Sequence, residues 1–118
     1  LGDAGCGFDC ASAPEIQAAL EHALGGDASA LAQRVIYANP AKHPSHLLYA
    51  RQTGVRMVTL DSADELHKLA ALFPEAGCVV RLLVDDSHAR CRLGAKFGAP
   101  PDTVPHLVRT VRKLGLHL

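Results

Sequence analysis

Four times along its 118 residues the chain repeats one pattern: a short β-rich apolar run, then an amphipathic stretch bracketed by helix start and stop signals. The runs are 7–10 (GFDC), 34–38 (RVIYA), 55–60 (VRMVTL) and 78–84 (CVVRLLV). After the first, Ser12-Ala13-Pro14-Glu15 reads as a capping box, with helix to about Leu24 and Gly25-Gly26 ending it. Asn39-Pro40 breaks the second run, and a helix follows from Pro44 to about Thr53, capped by Gly54. Ser62-Ala63-Asp64-Glu65 is a second capping box, opening a helix to about Phe73. A polar loop spans Asp85 to Asp102, Thr103 caps a last helix to about Leu114 with Pro105 in its first turn, and Leu116-His117-Leu118 begins another strand.

Strands alternating with helices predict an α/β fold with a parallel sheet covered by helices. The continuous apolar run at 78–84 suits a strand buried on both faces. The period alone does not separate a barrel from an open doubly wound sheet. A whole (β/α)₈ barrel takes about 250 residues, so four units make about half of one. The first residue is Leu1 rather than Met, and the chain opens close to a structural element, so the natural start is expected upstream.

Composition narrows the function. Twelve Lys+Arg balance twelve Asp+Glu, which leaves no basic footprint for nucleic acid and no acidic tail. No run of about 18 apolar residues offers a membrane span, and no signal-peptide pattern is visible. Cys6, Cys10, Cys78 and Cys91 show no CxxC spacing, and two of them fall in apolar runs where a free thiol behaves as a small hydrophobe. Reduced cysteines in a cytoplasmic protein, with no metal site, are the expectation.

Two charges stand out because they interrupt apolar runs: Asp9 between Phe8 and Cys10, and Arg81 between Val80 and Leu82. A dry unpaired charge is costly, so each needs a partner. Either they form a structural ion pair or they line a polar pocket for a charged ligand. Asp9, Asn39 and Asp61 stand toward the C-terminal ends of predicted strands, where α/β barrels keep their working residues; Asp61 could equally do no more than open the next helix beside Ser62. Asp85-Asp86-Ser87-His88 matches no metal template and reads as a solvated loop. The histidines are scattered, with His22 and His67 in helices and His43 and His46 near a helix start. Neither GxGxxG nor GxxxxGK[ST] occurs.

Five blocks in order resemble the alanine-racemase-like barrel of the group IV decarboxylases, and within it the eukaryotic-type ornithine decarboxylases. They are Gly7-Phe8-Asp9-Cys10-Ala11-Ser12 with Glu15-Ile16-Gln17, 34–40 (RVIYANP) with Lys42, Thr59-Leu60-Asp61-Ser62 with Glu65-Leu66, Arg81 with Asp85-Asp86-Ser87, and Cys91-Arg92-Leu93 with Lys96-Phe97-Gly98. The resemblance covers essentially the whole chain. Departures are an expanded loop around Gly25 to Ala32, and Ala41 where many relatives have Cys.

The resemblance implies a pyridoxal 5'-phosphate (PLP) enzyme, here part of a PLP-binding (β/α)₈ TIM-like barrel, with the rest of the barrel and a β-rich C-terminal domain outside residues 1–118. Asp9 and Arg81 match positions beside the cofactor, Ala38 a small residue of its pocket, and Glu15 a buried carboxylate close by. Asp61 and Lys96 match positions of cross-subunit salt bridges in a homodimer. The region from Asn39 to Asp64 resembles the surface that antizyme binds in animal enzymes. The implied reaction is decarboxylation of ornithine to putrescine in polyamine synthesis. Alternatives are a sister decarboxylase acting on lysine, arginine or diaminopimelate, or a non-catalytic homologue of the antizyme-inhibitor kind.

The same resemblance puts the catalytic groups elsewhere: the Schiff-base lysine before residue 1, and the acid cysteine after residue 118. The lysines present agree with this. Lys68 and Lys113 read as helix-surface residues, Lys42 and Lys96 as loop residues, and none stands at an apolar strand end. The segment by itself is expected to be inactive.

Overall fold

A computed structural model describes residues 4–21, 28–91 and 97–118. Strands β1 (Phe8–Cys10), β2 (Val35–Tyr37), β3 (Met57–Leu60) and β4 (Gly77–Val80) form one parallel sheet in the order β1-β2-β3-β4. Helices α1 (Ala13–Glu21), α2 (Ala28–Ala32), α3 (Pro44–Gln52), α4 (Ala63–Leu72) and α5 (Val104–Lys113) complete the units. A doubly wound sheet reverses its strand order at a switch point. These four strands add one after another without reversal, as in a barrel wall. The segment at 116–118 also joins, since Gly77 bridges His117 in parallel and the Cys78 N–H donates to the His117 carbonyl at 2.8 Å.

Alternation along each strand makes two unlike faces. Cys10, Tyr37, Val58 and Cys78 stand level across the sheet, with Val35 and Leu60 on the same side, and all six are buried. They pack with Ile16 of α1, Leu47 and Ala50 of α3, and Leu66, Leu69 and Phe73 of and just after α4. Each large apolar side chain so buried contributes about 1.5–3 kcal/mol. The other face carries Asp9, Ile36 and Met57 level with Gly77, and Thr59 level with Val79. It is more open: Met57 is 38% and Val79 37% exposed.

Helix starts follow their local chemistry. The Ser62 hydroxyl accepts the Glu65 N–H at 3.4 Å, and Ser12 does the same for Glu15. His43 caps α3 through Nδ1, which accepts the Ser45 N–H at 3.3 Å. Thr103 stands at the start of α5 but does not cap it; its hydroxyl donates to the Pro100 carbonyl instead.

Two further expectations fail. The expanded loop at 25–32 contains α2, because Ala28-Ser29-Ala30-Leu31-Ala32 is rich in good helix formers and buries Leu31 and Ala32. The run 78–84 is not one strand: β4 ends at Val80. Beyond it the chain pairs with a later segment, the Leu83 N–H donating to Ala99 O and the Ala99 N–H to Arg81 O. Leu82 and Val84 are therefore 51% and 65% exposed rather than buried.

That later segment depends on Gly98, whose φ is +116°. A Cβ there would lie 2.6 Å from the Leu83 nitrogen and 2.7 Å from its Cα. Gly98→Ala should therefore cost about 1–3 kcal/mol, read as a lower urea midpoint. Unchanged stability would show that the backbone at 97–99 repacks without strain.

Candidate cofactor face

The residues singled out in the sequence gather on the open face and at the C-terminal strand ends. Asp9 is the middle residue of edge strand β1, exposed, and level with Ile36. Ala38 follows β2 and is half-buried; its N–H donates to the Cys10 carbonyl at 2.8 Å, so the β1–β2 ladder runs one step further. Arg81 follows β4, its N–H bonded to Leu60 O at 2.8 Å, and its guanidinium lies 5.1 Å from the centre of the Phe97 ring. By alternation Ala38 and Arg81 share the side of Asp9, Thr59 and Val79.

Asp9 and Arg81 do not neutralise each other. They belong to opposite edges of the four-stranded sheet, and Asp9 is level with Gly77, four residues before Arg81. Neither is in an ion pair, with the other or with a neighbour, among the described residues.

Glu15 belongs to α1. It is exposed in the first turn of α1, where its Oε2 accepts the Ala11 N–H. With Phe8, Asp9, Cys10, Ala18 and Ala19 it lines an open cavity of about 290 Å³. Glu15 and Asp9 are brought together there. Asp61 does more than open α4, since its Oδ2 accepts the Gly98 N–H at 3.0 Å and ties the 97–99 segment to the end of β3. Lys96 lies outside the described residues. Asp85 accepts the Ser87 N–H at 2.9 Å in a tight turn, which holds its carboxyl below the usual range, and no metal cluster occurs among the described residues.

Sequence reasoning misses Lys42. It reads as a loop residue, yet it is 2% exposed. Its Nζ donates to Thr59 O at 2.6 Å and to Asn39 O at 3.1 Å, and stands 2.8 Å from Glu65 Oε1. Glu65, also buried, meets Lys68 Nζ through Oε2 at 2.6 Å, and Lys68 donates in turn to the Lys42 carbonyl. Lys68 is thus half-buried, not a free surface lysine. Burial pushes the Lys42 ammonium down from its ordinary pKa, against the opposing pull of Glu65. Nearby, burial and then Glu65 raise the Tyr37 phenol, and burial raises the Cys10 and Cys78 thiols.

The family described as pyridoxal-dependent decarboxylase, pyridoxal binding domain, matches residues 1–118. The chain belongs to this decarboxylase family. An ornithine decarboxylase of Neurospora crassa is 47% identical over 97% of the chain, which covers 22% of that protein. An antizyme inhibitor 2 of Xenopus laevis is 40% identical over 98% of the chain and is covered to 24%. A lysine decarboxylase (SrLDC) mutant in complex with PLP superposes with a TM-score of 0.86 at 37% identity, over 99% of this chain and 29% of that one. The segment thus spans about a quarter of the length of the relatives it matches.

The open face of this decarboxylase segment suits the family's cofactor. Ala38, Ile36 and Thr59 make a floor of small or apolar side chains. Arg81, stacked on Phe97, is in no ion pair among the described residues and can meet an anionic group. Asp9 is exposed, and its carboxylate can meet a cationic one. PLP, when bound, supplies an electron sink.

Proposed function

We propose that the segment is an internal part, about half, of the cofactor barrel of a cytoplasmic ornithine decarboxylase that converts L-ornithine to putrescine and CO₂. The observation that carries the reading is the gathering of Asp9, Ala38 and Arg81 on the one sheet face that the helices leave open, toward the C-terminal strand ends where α/β barrels bind their ligands. Arg81 and Asp9 act there by charge: one attracts an anionic group of the cofactor or substrate, the other favours a cationic nitrogen. Ala38 keeps the floor low enough for a flat ring. Glu15 supports the same corner from α1. The Schiff-base lysine and the proton-donating cysteine belong to parts of the protein outside residues 1–118, as does the C-terminal domain.

Ornithine is preferred to lysine, arginine or diaminopimelate because curated relatives at 37–47% identity are ornithine decarboxylases. The working form is a homodimer, with Asp61 and Lys96 toward the partner subunit, and the Asn39 to Asp64 surface is the place for an antizyme where one exists. A second reading, a regulatory protein of the antizyme-inhibitor kind, is favoured only by the likeness to that relative; the retained Asp9 and Arg81 speak for the enzyme.

The test is made on the full-length protein. A visible band of lysine-bound PLP together with CO₂ release from ornithine, exceeding release from lysine and arginine, is the expected result. A folded protein with neither band nor CO₂ overturns the reading. Antizyme capture by that protein, lost on substitution within 39–64, would then establish the regulatory one.

A further inference from the structure

We propose that Lys42 is a positioning residue that fixes the cofactor face from behind; this rests on the reading of that face given above. The ammonium has three protons, and three acceptors surround it: Asn39 O, Thr59 O and Glu65 Oε1. The β2–β3 pairing stops at Tyr37↔Val58. One step further along, where Ala38 and Thr59 form part of the floor, the two chains are joined through the Lys42 ammonium, which bonds the carbonyl of Thr59 on one and of Asn39 on the other. Glu65 and Lys68 hold the ammonium in turn: Glu65 Oε1 also accepts the Lys42 N–H at 3.3 Å, and Lys68 reaches the Lys42 carbonyl.

Stability alone is a poor explanation for such an arrangement. A buried ion pair gains little over apolar residues of the same volume, because both charges must leave water. What it supplies is directional, multidentate bonding at a place where the sheet ladder has ended. Two small floor residues are thereby held at a fixed separation, and a flat ligand needs such a floor ready before it arrives.

Lys42→Met and Glu65→Gln in the full-length protein separate positioning from mere support. Three quantities are read on each: PLP affinity of the apoprotein by titration, amide exchange of residues 38–42 and 58–62 without PLP, and the melting temperature. Lys42→Met should weaken PLP at least tenfold and speed exchange at both stretches. Glu65→Gln, which keeps an acceptor and both carbonyl bonds of Lys42, should melt lower yet bind PLP within threefold of the parent. Should Lys42→Met fail to fold, Lys42→Arg takes its place, with the same exchange signature and at least threefold weaker PLP.

PLP affinity that follows melting temperature alike in both variants would overturn the proposal, as would wild-type affinity or exchange in the Lys42 variant. A wild-type protein that binds no PLP would instead overturn the reading of the face, and this role of Lys42 with it.

Discussion

Replacing Arg81 by Ala in the full-length protein should lower kcat/KM for ornithine by roughly 10²-fold, the usual scale for deleting one preorganised charged or hydrogen-bonding group from a site. Stability should change little. The Arg81 backbone is pinned on both sides, its N–H to Leu60 O and its C=O to the Ala99 N–H, and neither bond involves the side chain. The side chain is half-buried and its described contact is the Phe97 ring, so its removal opens no core cavity. The lost stacking amounts to about 0.5–1 kcal/mol. Arg81→Lys keeps the charge but not the planar stack and should fall between the two. Asp9→Asn, which keeps shape and removes charge, should show a loss of similar order. The assay is steady-state kinetics alongside a PLP titration and a urea melt. An Arg81→Ala variant with parental kinetics and PLP affinity would show that the guanidinium serves only as a prop for Phe97.

How much of this was legible before any coordinates depended on the range of the interaction. The βα alternation could be read because it rests on periodicity and caps, both local; Ser62 caps α4 as its spacing predicts. A charge inside an apolar run marked Asp9 and Arg81, and that too is local. Their failure to pair is a matter of strand order, which no window of sequence contains. Val84 misled for the same reason: its run is apolar, but Leu82 of that stretch pairs with Ala99, 17 residues later. Glu65 shows the limit most clearly. In a capping box its side chain turns back to the residue at the helix start. Here both oxygens are taken by Lys42, 23 residues earlier, and by Lys68. The available signal was the pairing of a lysine just past one strand-end Asn-Pro turn with a box glutamate just past the next strand, and it becomes readable only once β2 and β3 are known to be neighbours.

Glu65→Ala should be the most destabilising single change at this site. It leaves the Lys42 ammonium buried among carbonyls without its counter-charge, and breaking one side of a buried pair costs about 3–5 kcal/mol. Lys42→Met/Glu65→Leu, which removes both charges, should recover part of that loss, since neither desolvated ion remains. It should not recover all, because Thr59 O and Asn39 O lose a donor, at about 1–3 kcal/mol for each carbonyl left unsatisfied. The pH dependence carries the same signature. Burial lowers the Lys42 pKa below its ordinary 10.5, so between the lowered value and 10.5 the unfolded chain holds more protons than the folded one. Stability attributable to Lys42 therefore rises with pH through that window and is lost as pH falls through the folded pKa. Urea midpoints taken up to pH 10.5 should show this rise in the parent and lack it in Lys42→Met. A Glu65→Ala variant within about 1 kcal/mol of the parent would mean that water reaches the ammonium, against its burial in the fold.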